Sequence, residues 1–215
     1  MEQQQNSLMI DRVLELLSVY TKRGLTGKIE IKLPSQETIA LYLNLGFIAW
    51  ISDGIHSQRR WERCLKQVGI GLEKLQLIND FLKLEQQKTE ATASSEYDDL
   101  VAITKENLLN KEQVKSIISY LTQEILFDLM QKAQQQMTED GKLPFSIEFY
   151  PRVRPSDKNF LPYTWLCSLA YIADLTRETY QQWLALGLIK YSPNLVPIIK
   201  DYQRLSSKTS SETYQ

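Results

Sequence analysis

Residues 27–33 read Gly-Lys-Ile-Glu-Ile-Lys-Leu, with Lys28, Glu30 and Lys32 alternating with Ile29, Ile31 and Leu33. Charges on one side of the chain and aliphatic side chains on the other are the period-two signature of a half-buried strand. Pro34, Ser35 and Gln36 then supply a turn, after which Thr38–Leu45 and Phe47–Ile51 read as two further strands punctuated at Asn44, Leu45 and Gly46. The result is a three-stranded antiparallel meander.

Helical periods flank it. Ile10, Val13, Leu14, Leu17 and Tyr20 recur at three- and four-residue intervals, so the spacing predicts an amphipathic helix over Leu8–Tyr20, capped by Asn6 or Ser7. Asp53 and Gly54 end the meander, and a helix opening at His56 or Ser57 carries Arg59, Arg60, Trp61, Arg63, Cys64, Leu65 and Val68. Leu72, Leu75, Ile78 and Leu82 continue the period until Glu85–Asp99, a run of Gln, Lys, Thr, Glu, Ala and Ser in which Tyr97 is the single aromatic. Such a composition buries little apolar surface and predicts a mobile loop.

Asn110 and Gln113 stand in capping-box relation ahead of Val114, Ile117, Ile118, Leu121, Ile125 and Leu129, which predicts a second long helix. Pro144–Tyr150 alternates again through Phe145, Ile147 and Phe149, so a fourth strand returns to the sheet before Pro151 and Pro155 stop it. Helical pattern resumes at Pro162 and runs through Trp165, Leu169, Ile172 and Trp183 to Gly187, with room for a break around Asp174–Thr176. Asn194 can cap a last helix, and Ser206–Gln215 reads as a linker or free end. The fold class is α+β: a small antiparallel sheet, a three-stranded meander plus a fourth strand, packed with helices and followed by a helical C-terminal region.

Composition narrows function. Hydrophobic residues are 43% of the 215 and charged residues 24%, ordinary globular usage that excludes wholesale disorder. Lys and Arg total 25 against 26 Asp and Glu, so no overall field steers the chain to nucleic acid or an anionic bilayer. Apolar runs fall short of the ~20 residues needed to span a bilayer, and Met1–Gln5 is polar, unlike a secretory leader. The expectation is a cytoplasmic protein with no membrane insertion.

Cys64 and Cys167 are far apart, each in apolar helical pattern, and read as reduced core thiols. His56 is the only histidine, and a helix-start role suits it better than that of a general base. Gly69 and Gly71 lack the third glycine and preceding strand of a dinucleotide fingerprint, and no Walker lysine, metal-ligand pair or nucleophile elbow occurs. Trp50, Trp61, Trp165 and Trp183 fall on apolar faces and read as core. The expectation is therefore no catalytic residue, no metal and no cofactor.

Two constellations stand out. Arg59, Arg60, Arg63 and Lys66 share one helix, and could grip phosphate or an acidic partner. The favoured reading is that Arg59 or Arg60 pairs inside the domain with Glu124 or Asp128, two carboxylates one helical turn apart that repel unless neutralised. On the last helix Leu195, Ile198, Ile199 and Tyr202 recur at helical spacing, and are candidates either for a protein interface or for docking on the domain's own core.

Five blocks in order, Leu25–Gly27 (LTG), Leu41–Trp50 (LYLNLGFIAW), His56–Trp61 (HSQRRW), Glu124–Asp128 (EILFD) and Ser192–Pro197 (SPNLVP), resemble the hallmark blocks of the PATAN domain, the N-terminal module of PatA-like cyanobacterial response regulators. The similarity spans about Leu8–Ile199 and is weakest in the Glu85–Asp99 stretch. It implies an interaction domain at residues 1–199, with 200–215 a helix end and linker towards a phosphoacceptor receiver domain that the sequence does not reach. A module cut at its linker is favoured over a stand-alone version.

The resemblance further implies non-enzymatic signalling through protein partners in two-component phosphorelays, as in phototaxis and type IV pilus-based motility. The pilus machinery or a blue-light photoreceptor are the implied partners, and the family offers few functional residues to carry over. The alternative is a small-molecule or nucleic-acid binding module using the Arg59/Arg60/Arg63 helix, separable by the steep salt dependence that phosphate contacts impose.

Overall fold

The computed structural model describes residues 2–54, 57–88, 95–136, 143–157, 159–188 and 191, with backbone alone at 2–10, 57–59, 86 and 88. Helix α1 (Glu2–Lys22) precedes strands β1 (Gly27–Lys32), β2 (Thr38–Asn44) and β3 (Phe47–Ser52). Helices α2 (Ser57–Gln67), α3 (Leu72–Lys88), α4 (Glu96–Lys105) and α5 (Lys111–Gln135) follow, then β4 (Ser146–Pro151), a single 3-10 turn (Tyr163–Trp165) and α6 (Leu169–Ala185). The four strands form one antiparallel sheet in the order β3-β2-β1-β4, the α+β arrangement read from the alternating segments.

Register explains the core. Ile29 lies opposite Leu41 and Ile31 opposite Ile39, while Leu41 also faces Ile51 and Leu43 faces Ile48. Side chains directly across a ladder share a face, so across β1, β2 and β3 one face of the sheet is a continuous layer of buried aliphatic residues. Val13, Leu14 and Leu17 from α1 and Ile117, Leu121 and Ile125 from α5 complete the buried cluster. Helix α5 is the spine: it packs against β3, α1, α2, α6 and the 3-10 turn. Its start is fixed as the sequence dictates, with Asn110 Oδ1 accepting from the Gln113 amide and Gln113 Oε1 accepting from the Asn110 amide.

The β2–β3 hairpin is seated on the end of α1 by Gly46. This residue has φ 80° and its amide donates to Leu25 O at 2.9 Å. A Cβ here would sit 2.3 Å from Thr21 O, so only glycine permits both the conformation and the contact.

Three expectations are corrected. The Glu85–Asp99 stretch is helical at both ends, because α3 reaches Lys88 and α4 begins at Glu96; residues 89–94 lie outside the described residues. Ser95 caps α4, accepting from Asp98 N, and Glu96, Asp98 and Asp99 place negative charge on its first turn, where the helix dipole favours it. Tyr97 is buried rather than exposed: its ring meets Trp50 edge-on at 5.7 Å and its hydroxyl accepts from Leu161 N. Trp50 pairs across the ladder with Tyr42, on the face opposite Ile51 and Leu41, so Tyr97 of α4 meets a residue of the second face of the sheet at its β3 end.

The helical interruption also moves. Helix α6 runs unbroken through Asp174–Thr176, where the Thr176 hydroxyl donates to Ile172 O within the helix. The break lies instead at Leu166–Ser168. Ser168 is extended and caps α6 by accepting from Tyr171 N. Cys167, read as helical, is extended too: Ile48 N donates to Cys167 O at 2.7 Å and Cys167 N returns a bond to Ile48 O at 3.2 Å. This one bridge closes part of the β3 edge.

Candidate functional site

The arginine helix faces inward. Arg60, on α2, is 3% exposed. Its Nη1 donates to Asp53 Oδ1 at 2.7 Å and its Nε to Glu124 Oε1 at 3.0 Å, and Arg63 Nη2 donates to the same Glu124 oxygen. The guanidinium therefore ties the end of β3, through Asp53, to the middle of α5. Burial works against its charge, and the hydrogen bonds and attraction of Asp53 and Glu124 outweigh that, holding its pKa above the usual arginine value. Arg60 Nη2 is buried and has no hydrogen-bond partner among the described residues, so no part of this fork is offered outward.

Of the expected pairings, Arg60 with Glu124 forms. Among the described residues Asp128 pairs not with Arg60 or Arg63 but with Lys132, whose Nζ lies at 2.8 Å, one turn along α5, and Lys132 also reaches Glu37 at 2.6 Å. Each of the two α5 carboxylates thus has its own cation, which removes the repulsion expected between them. The Arg59 side chain and His56 lie outside the described residues, as do Leu195, Ile198, Ile199 and Tyr202. Asp53, treated in the sequence only as the end of the meander, is the partner that reading missed.

Cys64 packs beside this cluster, fully buried. Burial first, then the negative Glu124, pushes its thiol up to about 12, so it is a neutral, inert group. Cys167 is held by the Ser119 hydroxyl at 3.2 Å and by the Lys115 carbonyl, and burial raises its pKa as well.

A second feature has no counterpart in the sequence reading. Between α5, α6 and the Leu166–Ser168 segment lies a groove of about 580 Å³ whose walls include Phe47, Tyr120 and Tyr171, with Leu166, Cys167 and Leu175 among its other lining residues. These three aromatics are 41%, 37% and 59% exposed. Lys115 and Glu112 stand at the same groove and cancel in charge. Ser116, Ser119, Ser168 and Gln123 supply hydroxyls and an amide. An open cleft with aromatic walls and scattered neutral polar groups matches the composition of protein recognition surfaces.

Trp50 and Trp61 are buried, and Trp165 and Trp183 pack half-buried against the core. Among the described residues no group of three or more His, Cys, Asp or Glu side chains could hold a metal ion, and no helix is long and apolar enough to cross a membrane. Comparison with family models, curated proteins and solved structures gives no match.

Proposed function

We propose that the chain is a non-enzymatic protein-interaction domain of the PATAN kind, cytoplasmic, and working in cyanobacterial response-regulator signalling such as phototaxis and type IV pilus-based motility. The observation that carries the interaction reading is the α5–α6 groove, where Phe47, Tyr120 and Tyr171 remain exposed together. Aromatic side chains left at a concave surface give a protein partner large contact area at small entropic cost.

The five sequence blocks support the family. The LYLNLGFIAW block makes the β2–β3 hairpin, and Arg60 of the HSQRRW block grips Glu124 of the EILFD block. Described residues of these three blocks thus help to hold this fold together. The proposed partners are the pilus machinery, a blue-light photoreceptor or an attached receiver domain.

The phosphate-binding alternative is the less favoured, because two of its three arginines, Arg60 and Arg63, already bind carboxylates, Asp53 and Glu124. Capture from cyanobacterial lysate with the tagged chain, repeated with Tyr171→Asp, tests the reading. A specific partner should be retained by the wild type and lost by the variant. Equal capture by both, or a partner whose binding collapses with modest salt as phosphate contacts do, would count against it.

A further inference from the structure

The outer edge of β4 carries a self-complementary set of backbone groups. Arg152 N donates to Thr26 O at 2.9 Å, so Thr26 and Arg152 are a hydrogen-bonded pair. Gly27 opposite Pro151 is the next, non-bonded pair, and the alternation continues along the register. Ser146, Glu148 and Tyr150 therefore spend their amides and carbonyls on β1, whereas those of Ile147 and Phe149 point away from it. Pro151 fits this parity, since its missing N–H falls on the outward side and costs the β1 ladder nothing. Among the described residues no strand pairs with this edge.

The apolar layer also stops short there. Ile29 and Ile31 are completely buried, while Phe149 and Ile147, directly opposite them on β4, are only half-buried. An added strand would satisfy the outward groups and cover both side chains.

We propose that this edge pairs antiparallel with the same edge of a second copy of the chain, across a two-fold axis through Ile147. Two-fold registers centred on Ile147, Glu148 and Phe149 all keep like faces together, and chemistry separates them. Centring on Glu148 sets the carboxylate opposite itself, which repels. Centring on Phe149 brings Ile147 against Pro151 of the other copy, which has no N–H to give. Centring on Ile147 places Ile147 against itself, Phe149 against Phe145, and Glu148 against Ser146. Apolar meets apolar on one face, and a carboxylate meets a hydroxyl on the other. This self-pairing is separate from the α5–α6 groove and does not depend on the adaptor reading.

The test is sedimentation equilibrium on the whole chain from micromolar to millimolar concentration, with amide exchange read in parallel. Wild type should dimerise. Amides of Glu148 and Tyr150 should be protected at every concentration, and those of Ile147 and Phe149 only as dimer accumulates. Ser146→Lys puts a cation opposite Glu148 twice per dimer and Ser146→Glu an anion. The two variants should move the dissociation constant about two- to thirty-fold in opposite directions, tighter for lysine and weaker for glutamate. The contact of residue 146 with Lys32 on β1 is present in monomer and dimer alike and cancels. A monomer throughout, rapid exchange at Ile147 and Phe149 in the dimer, or a dimer indifferent to both charges would each overturn the proposal.

Discussion

Replacing Arg60 by alanine removes two ion pairs at once and leaves the acids behind. Asp53 and Glu124 keep side-chain exposures of 6% and 16%, so neither carboxylate gains full hydration when the guanidinium goes. Glu124 retains Arg63, which is itself 35% exposed and worth correspondingly less. Asp53, a carboxylate at the sheet edge, loses the bond that Arg60 makes to it at 2.7 Å. Losing hydrogen bonds between such charged groups costs about 1–3 kcal/mol. For a chain of 215 residues that corresponds to a fall in Tm of roughly 2–12 °C.

Urea unfolding followed by tryptophan fluorescence measures it, with Arg60→Lys as companion: lysine keeps the charge but cannot reach both acids as a fork, so its midpoint should fall between wild type and alanine. An unchanged midpoint for Arg60→Ala would refute the claim that this arginine locks α2 and β3 to α5. Unchanged stability together with lost partner binding would move the arginine from the structural frame to an interface.

Gly46→Ala should destabilise by about 1–3 kcal/mol from backbone conformation alone, before the clash with Thr21 O is added, and a thermal melt reads it. Asn110→Ala removes half of the α5 capping box and should cost about 0.5–2 kcal/mol in the same assay. For Cys64 the folded thiol titrates at about 12, above its ordinary value of 9.0. Its contribution is thus intact below pH 9.0 and lost as pH rises towards 12. Wild type should therefore lose more stability than Cys64→Ala across that window, and iodoacetamide should label Cys64 only on unfolding. Tyr171→Asp, on an exposed site, should leave the urea midpoint within about 0.5 kcal/mol of wild type while abolishing partner capture.

Strands and the α5 start were legible because their signals are local. Alternation in residues 27–33 and the Asn110/Gln113 box each act over a few residues, and the structure realises both. Helix α4 was hidden for the opposite reason. Its composition is that of a solvated loop, and what orders it includes Tyr97 meeting Trp50, a contact 47 positions away that no local pattern announces. Cys167 misled in a related way: its neighbours are apolar enough for a helix, but its backbone bonds to Ile48, a strand residue.

The same distinction separates the two functional candidates. The arginine cluster could be inferred because a basic helix and a pair of like charges one turn apart each demand neutralisation, and Arg60 with Glu124 meets that demand. Nothing comparable marks the groove. Phe47, Tyr120 and Tyr171 come from a hairpin and two helices, and each one alone reads as a core aromatic. A weak signal existed: Tyr120 stands off the Ile117, Leu121 and Ile125 stripe that faces the core, and Tyr171 off the Ile172 and Thr176 stripe. An aromatic that misses the inward stripe on two adjacent helices has no core to enter. When both such residues lie on one groove, burial against another molecule is the remaining way to remove their surface from water.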